Sequence, residues 1–88
     1  MTTEEVTITN KLGMHARPAA LFVQTASKFT SEVTVSKDGS DVNGKSVMGM
    51  MMLAAECGST LKLTISGSDE KVAMQALKEL FNRKFDED

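Results

Sequence analysis

"EVTVSKDGSDVN", Glu32 to Asn43, decides the fold. Val33 and Val35 alternate with polar neighbours, the period of a half-buried strand. Asp38-Gly39 then favours a tight primed turn. A second short strand follows over Asp41–Asn43. This stretch is therefore a β-hairpin, with one face for a core and one for water.

On its N-terminal side, "EVTITN" (Glu5–Asn10) alternates Val6 and Ile8 in the same way. After Gly13 the period changes. Ala19, Phe22, Val23, Ala26 and Phe29 recur at helical spacing, which predicts an amphipathic helix over about 16–28. Pro18 suits its first turn, where a missing N–H costs nothing.

On the C-terminal side, Gly44 breaks the chain and Ser46 can cap a helix over about 47–54, with Gly58 as its stop. "TLKLTIS" (Thr60–Ser66) places Leu61, Leu63 and Ile65 on one face of another strand. Ser68 is expected to cap a last helix, whose first turn holds Asp69 and Glu70, favoured there by the macrodipole. Ala73, Leu77, Leu80 and Phe81 form its apolar stripe. The acidic end, Asp86-Glu87-Asp88, is expected to fray. The order is β-α-β-β-α-β-α. Alternating strands leave one sheet face wet, so the expected fold is α+β, a two-layer open-faced sandwich with helices on one face of an antiparallel sheet.

The 88 residues predict one domain spanning 1–88. A net charge of -2 lacks the basic footprint of a nucleic-acid binder, and four Phe with no Tyr or Trp offer few stacking platforms. One Cys and one His build neither a disulfide nor an ordinary zinc site, so no metal and no cofactor are expected. No apolar run reaches membrane-spanning length, and "MTTEEVTITN" does not resemble a secretory signal. The expected location is the cytoplasm, without membrane insertion. Cys57 is expected to be a small buried hydrophobe.

The single histidine, His15, stands where a flexible lead-in meets the first helix. The first amides of a helix have no internal acceptors, and with the macrodipole they attract anions, phosphate above all. Pro18 has no N–H, so the free donors near His15 are those of Ala16 and Arg17. Arg17 adds a guanidinium suited to phosphate oxygens. Gly13 lets the backbone bend sharply ahead of the site. The same positive field disfavours the imidazolium and stabilises a phosphorylated ring. That combination suits reversible phosphoryl transfer, although by spacing alone His15 is equally a solvated loop residue or a simple anion contact.

Further residues narrow the choice. "GMHARPAA" closely resembles the active-centre signature of the HPr family, the histidine-containing phosphocarriers of the phosphoenolpyruvate-dependent phosphotransferase system. The resemblance extends through "NGKSVMGMMML" and "GSDE" to essentially the whole chain. It implies a four-stranded antiparallel sheet with three helices on one face. It also implies that His15 accepts a phosphoryl group at Nδ1 from phosphorylated enzyme I and passes it to an enzyme IIA domain. Arg17 would neutralise that group and Pro18 would fix the helix start. The protein would be a stoichiometric phosphoryl-transfer component and not a turnover enzyme. Ser46 matches the serine that an ATP-dependent HPr kinase phosphorylates in one group of relatives. Such a phosphate would sit at a helix start and place about two negative charges beside the partner-binding surface. "ITNKLGMHARPA" and "FDED" look instead like the nitrogen-related branch of the system.

The short second helix is apolar almost all round, so one stripe cannot bury all of it. Met50, Leu53 and Ala54 are expected to face the sheet. Val47, Met48, Met51 and Met52 are then left partly exposed as an adaptable binding surface. On the first helix, Ala20, Leu21, Gln24 and Lys28 lie opposite the core stripe and complete one convex surface around His15. Donor and acceptor would share it, each complex being small and short-lived. Nothing in the sequence demands more than a monomer. The competing readings are a mainly regulatory protein, acting through Ser46-phosphate-dependent binding to a partner such as a transcriptional regulator, and a small α+β binding module without phosphorylation chemistry.

Overall fold

The computed structural model describes residues 1–87. Its sheet is built from β1 (Thr2–Thr7), β2 (Glu32–Lys37), β3 (Ser40–Asn43) and β4 (Thr60–Ser66). All pairings are antiparallel, in the order β1-β4-β2-β3. The helices are α1 (Ala16–Ala26), α2 (Val47–Met52) and α3 (Glu70–Asn82), and a 3-10 turn follows over Lys84–Asp86. The fold is the α+β open-faced sandwich that the strand alternation predicts.

The two-residue hairpin forms as expected. Asp38 has φ 50° and Gly39 φ 84°, both in the left-handed region, as the type I′ form of a primed turn requires. Lys37 pairs with Ser40 across it. Central β4 buries Leu61, Leu63 and Ile65 on the helix side, beside Val33 and Val35 of β2 and Val6 of β1. On the other face Glu5, Lys62, Thr60 and Glu32 are exposed. Phe22 of α1, Met50 of α2, and Ala73, Met74, Leu77, Leu80 and Phe81 of α3 close the core from above. Phe22 meets Phe81 edge-on, with ring centroids 6.1 Å apart.

The boundaries moved for identifiable reasons. The first strand starts at Thr2, because its register with β4 runs from Thr2↔Ile65 to Thr7↔Thr60. Ile8 lies just beyond it, donating to the Ser59 carbonyl at 2.9 Å and accepting from the Gly58 N–H at 2.8 Å. α1 ends at Ala26, where Ser27 caps it and the chain turns back toward β2.

Four expectations are corrected. Ser68 does not cap the last helix; Asp69 stands at that position. The Asp69 carboxylate does not cap α3 either. It turns to the loop before β2, accepting the Thr30 N–H at 2.9 Å, the Ser31 N–H at 3.0 Å and the Ser31 hydroxyl. The donors on that loop outcompete local capping for the carboxylate because Ser31 is buried and its donors need partners. Ala54 is exposed, since α2 stops at Met52 and Ala54 takes φ 50° to turn the chain, which sends Ala55 inward instead. Cys57 lies in the exposed loop after that turn. The chain end, against the expectation of fraying, is packed through Glu87: Phe85 is buried against Phe81, 4.9 Å between centroids, Asp86 accepts from Arg83 Nε at 3.0 Å, and Glu87 accepts the Leu12 N–H at 3.2 Å. Asp88 lies outside the described residues.

Among the described residues no helix is long and apolar enough to cross a membrane.

Candidate functional site

His15 is the N-cap of α1, with extended backbone (φ -83°, ψ -175°), and its carbonyl accepts the first intrahelical bond from the Ala19 N–H at 2.9 Å. Its ring makes no capping hydrogen bond and is exposed. Ala16, Arg17 and Pro18 are the first three helical residues. The N–H groups of Ala16 and Arg17 therefore point out of the helix end, beyond reach of any intrahelical carbonyl. Pro18 is buried at the third position, where its missing donor leaves no helical bond unmade. The Arg17 side chain is exposed, and no ion pair among the described residues involves it.

The loop that presents the ring is tightly held. Met14 is buried and its N–H donates to the Ala55 carbonyl at 2.9 Å. Gly13 has φ 69°, and a Cβ there would lie 2.6 Å from the Ala55 oxygen. Glycine is thus required twice, for conformation and for close approach. Gly13 N–H reaches the Asn10 carbonyl at 3.2 Å, and Asn10 Nδ2 returns a bond to the Gly13 carbonyl at 2.9 Å. The imidazole therefore hangs from a closed turn seated on the exit of α2.

The second predicted element is built by α2. Ser46 is its N-cap, half-buried, with Oγ accepting the Gly49 N–H at 3.0 Å. Met50 is fully buried, whereas Met48 (76% exposed), Met51 (44%) and Met52 (77%) face outward. Val47 is half-buried. On α1, Gln24 and Lys28 are exposed and Ala20 is half-buried. Leu21, expected opposite the core stripe, is half-buried and packs partly against the core, leaving only part of its side chain at the surface.

Of these residues Met51 shares a depression with the histidine: Met14, His15, Met51, Ala54, Ala55 and Glu56 line it. Arg17 and Pro18 line another with Leu12, Phe85 and Glu87. Ser46, Met48 and Met52 share neither depression, nor do Gln24 and Lys28. Three residues at the site were missed from sequence. Leu12 is 59% exposed beside Arg17. Asn10 is buried under the loop, and Glu87 reaches it from the chain end, 77 positions away. An Asn two residues ahead of a Leu-Gly pair is a turn signal that could have been read, but no local pattern points to Glu87.

Comparison with known proteins gives the class of protein that this fold and exposed histidine define. The family model described as "PTS HPr component phosphorylation site" matches residues 2–83. The phosphocarrier protein HPr of Xylella fastidiosa (strain Temecula1) is 54% identical over 100% of this chain and 99% of its own length. The HPr-like protein Crh of Halalkalibacterium halodurans is 53% identical over 88% of this chain and 92% of its own. Two crystal structures of HPr from Thermoanaerobacter tengcongensis also match. One covers 100% of this chain and 99% of that one at 51% identity and TM-score 0.96. The other, a dimer, covers 97% and 98% at 52% identity and TM-score 0.78.

The chain belongs to the HPr family of phosphocarrier proteins of the phosphotransferase system.

Proposed function

We propose that His15 is the phosphoryl acceptor of this carrier. Nδ1 attacks the phosphoryl group on enzyme I, the bond to the donor breaks as the new P–N bond forms, and the group later leaves to an enzyme IIA domain. The observation that carries this reading is the exposed His15 ring, free of any capping hydrogen bond, at the N-cap of α1, beside the outward N–H groups of Ala16 and Arg17. Those donors and the Arg17 guanidinium stabilise the anionic group without a metal or cofactor. Pro18 fixes the helix start. One copy of residues 1–88 acts as a monomeric unit in the cytoplasm, as a stoichiometric carrier and not a turnover enzyme.

Donor and acceptor dock in turn on Ala20, Leu21, Gln24 and Lys28 of α1 and on Val47, Met48, Met51 and Met52 of α2. The exposed methionines support this, since apolar, flexible side chains adapt to more than one partner.

The test is incubation with enzyme I and phosphoenolpyruvate, followed by analysis for acid-labile, base-stable phosphate. Label is expected on the wild type and absent from His15→Ala. Arg17→Ala should stay folded and transfer at least about tenfold more slowly, as for loss of one charge-stabilising donor. Label persisting in His15→Ala overturns the assignment.

A second reading rests on Ser46, whose half-buried hydroxyl caps α2 next to the methionine surface. Phosphorylation there by an ATP-dependent HPr kinase/phosphorylase would regulate docking and create a site for a transcriptional regulator. Acid-stable phosphate appearing only with ATP and a kinase, and lost in Ser46→Ala, supports it. The same site allows a mainly regulatory role, or a place in the nitrogen-related branch.

A further inference from the structure

The chain end makes a turn that buries Phe85 and brings Glu87 into contact with the loop before His15. Lys84, Phe85 and Asp86 have φ of 54°, 54° and 57°, three consecutive side-chain-bearing residues in the left-handed region. Such runs are disfavoured by Cβ sterics, so surrounding contacts must hold them. Two do so directly. Phe85 is buried against Phe81, and Arg83 Nε donates to Asp86 at 3.0 Å.

The turn delivers Glu87 to the active-centre loop. One carboxylate oxygen accepts the Leu12 N–H at 3.2 Å, and the other accepts Asn10 Nδ2 at 3.0 Å. The second hydrogen of the same Asn10 amide goes to the Gly13 carbonyl at 2.9 Å. Asn10 is 2% exposed, so its amide is fixed between these two acceptors. A relay therefore runs from Glu87 through Asn10 to the peptide between Gly13 and Met14, next to His15. The hydrogen bond from Asn10, helped by the Leu12 N–H, holds the Glu87 carboxyl below the usual carboxylate range and keeps it ionised.

We propose that Glu87 is a positioning residue for phosphoryl transfer, acting through Asn10 and Leu12 to hold the loop that presents His15. The proposal rests on His15 being the acceptor. Transfer needs the attacking nitrogen in line with the donor's phosphorus, and small displacements of a held group cost large factors in rate. Glu87 touches neither the phosphoryl group nor the ring in this role; it restrains the backbone from which the ring is hung.

The experiment uses the full chain as wild type, Glu87→Ala, Glu87→Gln and His15→Ala. Phosphoryl uptake from phosphorylated enzyme I is followed over a range of enzyme I concentrations, well below every melting temperature. Amide hydrogen exchange is followed at Leu12. Glu87→Ala should lower the saturating rate three- to tenfold, leave the half-saturating concentration and the final stoichiometry unchanged, and speed Leu12 exchange at least tenfold. Glu87→Gln, which keeps a carbonyl acceptor, should recover part of both effects. A stabilising role alone would lower the melting temperature of Glu87→Ala and leave the saturating rate as in wild type, which overturns the proposal. A slower rate with unchanged Leu12 exchange overturns it too, because Glu87 would then act by charge. Should Glu87→Ala fail to fold, Glu87→Gln decides alone, by the same two readouts. Label on His15→Ala sinks the acceptor reading separately, in a sample that leaves Glu87 untouched.

Discussion

The Met14 N–H donates to the Ala55 carbonyl at 2.9 Å, and this bond seats the residue before His15 on the exit of α2. The two segments are 41 positions apart, yet the pairing leaves no room for a side chain at Gly13. Gly13→Ala combines a left-handed Cβ with a 2.6 Å approach to the Ala55 oxygen. We expect it to destabilise by roughly 2–4 kcal/mol. Urea unfolding checks this; a change under about 0.5 kcal/mol would show that the loop relaxes freely.

Ser46 should reveal its capping role in stability alone. Ser46→Ala removes the acceptor of the Gly49 N–H and should cost about 1 kcal/mol. For a chain of this size that is a drop of roughly 4–8 °C in Tm. Ser46→Asp keeps a capping acceptor and should stay near wild type in Tm, while its charge weakens enzyme I binding. Equal binding by Ser46→Asp and wild type would show that charge at Ser46 does not act on the docking surface.

The methionines of α2 should separate into two classes. Met50 is fully buried, and Met50→Ala should cost about 2–5 kcal/mol. Met48→Ala and Met52→Ala should stay within about 0.5 kcal/mol of wild type in stability. The latter two should nevertheless weaken binding of enzyme I, measured by calorimetric titration. Unweakened binding in the double variant would place the partner elsewhere.

Acid should expose the tie between α3 and β2. The Ser31 hydroxyl, then the Thr30 N–H, hold the Asp69 carboxyl at about 2, below its ordinary 3.8. A depressed carboxylate favours the folded state while ionised, so its contribution is complete above pH 3.8 and is lost as pH falls through about 2. Asp69→Asn should lower Tm at pH 7 and flatten the fall in Tm between pH 4 and 2. Parallel Tm curves for the two proteins would mean that other carboxylates govern acid unfolding.

Much of the molecule was legible because its signals are local. The Asp38-Gly39 turn, the alternation of Leu61, Leu63 and Ile65, and the stripe of Ala73, Leu77, Leu80 and Phe81 depend on backbone geometry and side-chain period alone. The angular crowding of α2 likewise implied exposed methionines. Ser68, Ala54 and Cys57 were misplaced because each depends on a competitor. Asp69 serves the Ser31 loop at the position expected of Ser68, and a left-handed turn at Ala54 reverses which side of the chain meets the core after Leu53.

By itself the sequence determined the element order, the wet and dry sheet faces, and the single histidine at a helix start beside an arginine and a proline. Those follow from short-range sterics and hydrophobic period, which neighbouring residues set together. Only the tertiary structure decided that Ala55 and Glu87 meet the loop before His15. Their bonds join segments far apart in the chain, and such partners are chosen by packing of the whole core, with Phe85 against Phe81 steering the chain end to Asn10.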